Sequence, residues 1–196
     1  MITRFRRHSG QGGNQRYRKP LIIILPKSDI WGHLIPAESP ERPWTSRGFV
    51  KELDVDTIYS TSLAVRSLFL ELCPEIVHAA ENFARKVIFV PASATGCNAE
   101  KIDDLFGVRP CNVKSLWVEI PVLLLLEEHG LVKANKHNGR EDCEQVDALP
   151  MGDLHGIELS DGTQHLLPPC YLGKYLQCPT SGMRFVANAP AGTTIS

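Results

Sequence analysis

Two short apolar runs constrain this chain more than any other feature. Leu21-Ile-Ile-Ile-Leu25 lies between Pro20 and Pro26, and Lys86-Val-Ile-Phe-Val90 is stopped by Pro91. Continuous apolar runs without an alternating polar face predict strands buried on both sides, as in the middle of a parallel sheet. Two helical patterns lie between them. Over 56–73, Ile58, Val65, Leu68, Phe69 and Leu72 share one face at helical spacing, and Asp54 or Asp56 can cap the start. Pro74 either ends that helix or opens a second one over 74–84, with Ile76, Val77, Ala80 and Phe83 inward. Strand, helices, strand is a βαβ unit. The two runs are therefore expected as parallel neighbours with a right-handed crossover.

The rest of the chain arranges itself around that unit. Residues 1–20 carry Arg4, Arg6, Arg7, Arg16, Arg18 and Lys19 with no acidic residue among them, and Gly10, Gly12 and Gly13 break any helix. A loop-like, solvated basic terminus is expected there. Pro36, Pro40 and Pro43 mark a long connection, which Trp31 and Trp44 would pin to the body. The apolar segment 116–126 leads into Glu127, Glu128, His129 and Gly130, which favours a helix with Pro121 in its first turn. Residues 133–153 are polar and read as a linker. Beyond it, 154–188 reads as a small β module. One hairpin turns at Asp161-Gly162, and a second joins Tyr175 to Cys178 with Arg184 to Val186. Residues 189–196 are expected to be a disordered tail.

Charge and cysteine usage narrow the function classes. Net charge is −1 with a pI near 6.6, so no nucleic-acid partner is expected. The longest apolar runs fall far short of the ~20 residues that span a bilayer, so no membrane partner is expected either. The basic start has no apolar stretch behind it, so no secretory signal is read. Six irregularly spaced cysteines then fit reduced thiols and a cytoplasmic setting.

The chemistry concentrates in two loops. Pro26-Lys27-Ser28-Asp29 succeeds the first strand, and Pro91-Ala92-Ser93-Ala94-Thr95-Gly96 the second. Ligands of open parallel sheets bind at the carboxyl ends of strands, where both loops sit. An ionised Asp29 can accept from both N1–H and N2–H₂ of guanine. Lys27 can lay its aliphatic stem over the ring. The backbone N–H of Ala94 can serve O6. Adenine lacks the donor pair and would leave buried groups unpaired.

Lys27-Ser28-Asp29 and Ser93-Ala94 resemble the two base-reading motifs of P-loop GTPases, N/T-K-x-D and S-A. The wider run Val87 to Gly96, then Phe106-Gly-Val-Arg-Pro110 and Trp117-Val-Glu-Ile-Pro121, is similar to the C-terminal part of large bacterial GTPase-like proteins. The resemblance spans about residues 15–130. It implies an α/β fold, a partial doubly wound parallel sheet forming the C-terminal half of a GTPase-like domain over 21–132. It also implies guanine-base contacts from Lys27, Asp29, Ser93 and Ala94, and a helix after Ser93-Ala94.

Three departures from that pattern restrict the chemistry. Pro26 replaces the Asn or Thr that ties this loop to the phosphate loop. Asp29 and Ser93 stand further apart than in compact members. No G-x-x-x-x-G-K-S/T occurs, so the phosphate cradle, its Lys and the Mg²⁺ hydroxyl are missing. The expected activity is therefore base recognition with weak affinity for GTP or GDP, and no hydrolysis by this chain alone. Half of such a sheet needs completion, so self-association or a protein partner is expected to supply strands. The other class of function is a ligand-free protein–protein interaction module working through exposed sheet edges.

Other candidates are weaker. Cys178-Pro-Thr-Ser181-Gly-Met-Arg-Phe185 resembles one zinc-ribbon knuckle, C-P-x-C-G-x-x-F, with Ser181 in place of the second thiolate. Cys170, His165 and His155 are the neighbouring ligand types, but a hydroxyl is a poor zinc donor and no metal is expected. Cys97 lies beside the base loop without a local base. His33, His78, His129 and His137 show no metal-ligand spacing.

Overall fold

The computed structural model describes residues 16–35, 43–47, 50–102, 105–135 and 143–190. Most of the expected basic terminus, residues 1–15, and the end of the expected tail, 191–196, lie outside the described residues.

The founding pair forms as its composition dictates. Strand β1 (Leu21–Leu25) and strand β4 (Val87–Pro91) run parallel, with Ile23 opposite Phe89. The connection between them begins with α1 (Ser28–Trp31), a single turn, and then the hairpin β2 (Trp44–Arg47) and β3 (Val50–Asp54). It continues through α2 (Val55–Leu72) and α3 (Pro74–Phe83). Asp54 caps α2: its carboxylate accepts from the Thr57 N–H at 3.0 Å and the Thr57 hydroxyl at 2.8 Å. Pro74 opens α3 in its first turn, where no N–H is required of it.

After β4 come the hairpin β5 (Glu100–Ile102) and β6 (Leu105–Gly107), helix α4 (Ile120–Glu128) and the short strand β7 (Ala134–Asn135). The chain closes with β8 (Glu144–Asp147), β9 (Leu149–Met151), β10 (Leu154–Glu158), β11 (Gln164–Leu167), β12 (Tyr175–Gln177) and β13 (Arg184–Asn188). Both expected C-terminal hairpins are present, as β10–β11 and β12–β13.

The architecture is mixed α/β, built from small parallel and antiparallel sheets: β1-β4, β2-β3-β7, β5-β6, β9-β10-β11 and β8-β13-β12. Two expectations change. The stretch 133–153 is not a simple linker: β8 and β9 lie in it, and β8 pairs in parallel with β13. Alternate residues here face the core, as buried Val146 does, so a polar composition hid a strand. Strand β1 is only partly buried: Ile22 packs against one core cluster and Leu21, Ile23 and Leu25 against the other, at the margin of each. Ile24 is left 52% exposed, whereas β4 is buried along its whole length.

Helix α2 supplies most of the interior. From Val55 to Arg66 nearly every side chain is buried, including Ile58, Tyr59, Leu63 and Val65. Leu68 and Phe69 still pack against the core, but Leu72 at the helix end and Ile76 at the start of α3, both expected on inward faces, are exposed because no element among the described residues covers them there. One core cluster joins Ile58, Leu63, Ile88 and Val90 to Ile157, Leu167, Leu176 and Phe185 of the C-terminal strands. The other packs Val65, Val77, Ala80 and Phe83 against Val87 and Phe89. Successive β4 residues point into different clusters because strand side chains alternate. No helix among the described residues is long and apolar enough to cross a membrane.

Candidate functional site

The parallel pairing brings the two loops together. The Ser28 N–H donates to the Ala92 carbonyl at 3.1 Å, and the Ala92 N–H donates to the Leu25 carbonyl at 2.9 Å. The ladder is thus extended by one step past the strands. The loop after β1 and the loop after β4 become one surface at the carboxyl edge.

In the first loop, Lys27 is exposed and takes a left-handed backbone, φ 57°, immediately before the single turn of α1. Ser28 is buried against the second loop. Asp29 comes next, in the first turn, and its Oδ1 is buried without a hydrogen-bond partner. Trp31 closes the loop on itself: its indole N–H donates to the Pro26 carbonyl at 2.9 Å, and its ring meets Phe69 edge-on at 6.3 Å.

The second loop is held from the opposite side. Ser93 is buried and exchanges two backbone hydrogen bonds with Leu116, at 2.9 and 2.8 Å. Its hydroxyl oxygen accepts from the Gly96 N–H at 2.9 Å, so this side chain shapes the loop. Lys114 N–H donates to the Thr95 carbonyl at 2.8 Å. Gly96 has φ +63°, and a Cβ there would overlap the Lys114 carbonyl oxygen. Glycine is required at that close approach. Ala94 is exposed at the loop tip, and its N–H makes no hydrogen bond among the described residues.

The site is therefore built in unequal parts. Asp29 contributes a carboxylate oxygen with no donor, and Ala94 a backbone donor with no acceptor. Ser93 supports the loop, and Lys27 stands at the open rim. Lys27 and Trp117 are also the two non-glycine residues with positive φ among the described residues, at 57° and 52°. Trp117 directly succeeds the Leu116 that pairs with Ser93, so both strained positions adjoin these loops. Such conformations cost on the order of 1–3 kcal/mol each and persist only where surroundings enforce them.

Sequence reasoning missed the clamp formed by residues 114–117. Its one local signal is a buried aromatic, Trp117, at the end of a polar stretch. The helix expected after Ser93-Ala94 is also displaced. The β5–β6 hairpin and a turn of 3₁₀ helix come first, and α4 begins only at Ile120.

The knuckle-like turn holds no group of three or more metal-ligating side chains among the described residues. Cys178 Sγ accepts from the Ser181 N–H at 3.4 Å and lies 3.2 Å from His165 Nε2. Ser181 and Thr163 hold the Asp161 carboxyl below its ordinary value. Burial pushes the Cys170 thiol up to about 11, which keeps it protonated at neutral pH.

No family model, no curated protein and no solved structure matches this chain.

Proposed function

We propose that the loops at the carboxyl ends of β1 and β4 form a guanine-base site in a GTPase-like half-domain that does not hydrolyse nucleotide by itself. The observation that carries this reading is the buried, unpartnered Oδ1 of Asp29, beside a loop junction closed by the Ser28–Ala92 hydrogen bond. A carboxylate oxygen without a donor costs free energy until a ligand supplies one. In this reading guanine N1–H and N2–H₂ supply it, Ala94 N–H meets O6, and Lys27 covers the ring face. Ser93 positions the loop. Affinity is weak because the phosphates find no loop to neutralise them.

The test is thermal melting of the full chain with GDP, GTP and ADP at millimolar concentration. GDP and GTP are expected to raise the melting temperature and ADP to leave it unchanged. Asp29→Asn is expected to abolish the shift, because an amide presents a donor where guanine also presents one. Equal shifts with ADP, or none with GDP, would sink the proposal.

A second reading has its own observation. Strand β1 shows one unpaired edge among the described residues, with Ile24 half out in solvent. An apolar edge of this kind is a template for another strand, from a protein partner or a second copy. Ile24→Lys is expected to weaken any self-association seen by light scattering while leaving the melting temperature within about 1 °C.

A further inference from the structure

A cleft of about 150 Å³ lies at the opposite end of β4 from the base loops, between α3 and the C-terminal strands. Residues one and two turns apart on a helix share a face. His78, Glu81 and Asn82 accordingly line one wall, and Arg85, just past the helix end, continues it. Asp153, Leu154, Pro168 and Pro169 line the other. The single-residue parallel bridge of Tyr17 with Ala84, reinforced by Arg85 N–H to the Tyr17 carbonyl at 3.1 Å, brings Arg16 to the same rim as Arg85.

The charges do not cancel. Glu81 is occupied from behind, with Oε1 2.5 Å from Arg66 Nε and Oε2 3.2 Å from Arg66 Nη2. Asp153 is occupied by Arg16 Nη2 at 2.8 Å. Arg16 has further guanidinium donors beyond that one. The Arg85 side chain makes no hydrogen bond or ion pair among the described residues. With Glu81 neutralised by Arg66 and Asp153 by Arg16, Arg85 leaves the cleft one net positive charge. The rest of its lining is apolar, from Ala84, Val87, Leu154 and the two prolines. A cavity near this volume accommodates roughly one six-membered ring.

We propose that this cleft binds a small organic oxyanion, a carboxylate or phosphate monoester on a body the size of one ring. Arg85 pairs the oxyanion, Arg16 adds a second donor group, and the body rests on Leu154, Pro168 and Pro169. The site is independent of the base loops. Because both walls contribute, its ligand would brace the helices against the C-terminal strands.

The test is a ¹H–¹⁵N NMR titration of the full chain with phenyl phosphate, benzoate and the neutral benzyl alcohol. Both anions are expected to move the amides of Asn82, Arg85 and Leu154 saturably, with benzyl alcohol about tenfold weaker or more. Arg85→Gln is expected to weaken the anions about tenfold at an unchanged melting temperature, since that side chain is exposed. Preference for phenyl phosphate over benzoate would assign a phosphate ester, and the reverse a carboxylate. Equal binding of the alcohol, unchanged affinity in Arg85→Gln, or no saturable shift at millimolar anion would overturn it. GDP-induced shifts at Asp29 and Ala94 test the base loops separately, so the two proposals can fail independently.

Discussion

Among single residues, a few polar groups stitch the interior together. Arg66 is the most demanding. Its guanidinium binds both oxygens of Glu81 and donates to the Leu166 carbonyl at 3.0 Å, with the two side chains only 5% and 11% exposed. Removing one partner strands the other charge away from water. Glu81→Ala is expected to cost about 3–5 kcal/mol in urea unfolding, and Arg66→Met with Glu81→Leu together much less. Ser62 is a smaller stitch. It meets the Tyr171 hydroxyl at 2.7 Å and accepts the Phe89 N–H at 2.9 Å, covering a backbone group on the far edge of β4. Tyr171→Phe leaves the second bond in place and is expected to cost about 1 kcal/mol. His165 gives a pH handle. Burial lowers its imidazole below the ordinary value, against a smaller opposing pull from Asp161 and with a further push from Arg66. The folded chain therefore resists a proton that the unfolded chain accepts. Stability is full above about pH 6.5 and falls as the pH drops below it. Melting between pH 7.5 and 5.5 checks this, and His165→Gln is expected to flatten the slope.

Among the elements, β4 and β1 differ although their sequences look alike. Both are runs of large apolar residues packed against the two core clusters, yet β4 is buried along its whole length and β1 leaves Ile24 in solvent. In a parallel pair, alternate residues turn their N–H and C=O toward the neighbour. Leu21 N–H and the Leu25 carbonyl face β4, so Ile22 and Ile24 turn theirs outward. Hydrogen exchange is expected to be fast at Ile24 and slow at Ile23 and Phe89. Helix limits were legible because their signals are local: an Asp cap, a proline at the first turn, a glycine beyond the last. Strand β8 was not, because Glu144-Gln-Val-Asp147 shows one buried residue in four and its partner, β13, lies some forty residues on.

In the molecule taken whole, the C-terminal strands do not stand apart. Ser62 to Tyr171, Arg66 to Leu166 and the Ser60 hydroxyl to the Tyr175 carbonyl, at 3.3 Å, tie α2 to three separate places in them. Both regions share one apolar cluster. Ending the chain at residue 142 would expose the Ile58, Tyr59 and Leu63 face of α2. That shortened chain is expected to aggregate or lose its cooperative melt, whereas an independent 154–188 module would leave the melt intact.

The βαβ unit, the helix caps, both C-terminal hairpins and the two loops that carry Lys27, Asp29, Ser93 and Ala94 were all legible in the amino-acid sequence. They arise from interactions within a few residues, or from apolar runs that leave one place to go. Tertiary packing was needed to leave Ile24 of β1 in solvent, to draw a strand out of a polar stretch, and to hold the second loop with Lys114 to Trp117. It also brought Arg16 and Arg85 to one rim. Each of these depends on which distant segment occupies the neighbouring space. Periodicity and spacing carry no record of that, because burial and pairing across the chain are settled by packing of the whole.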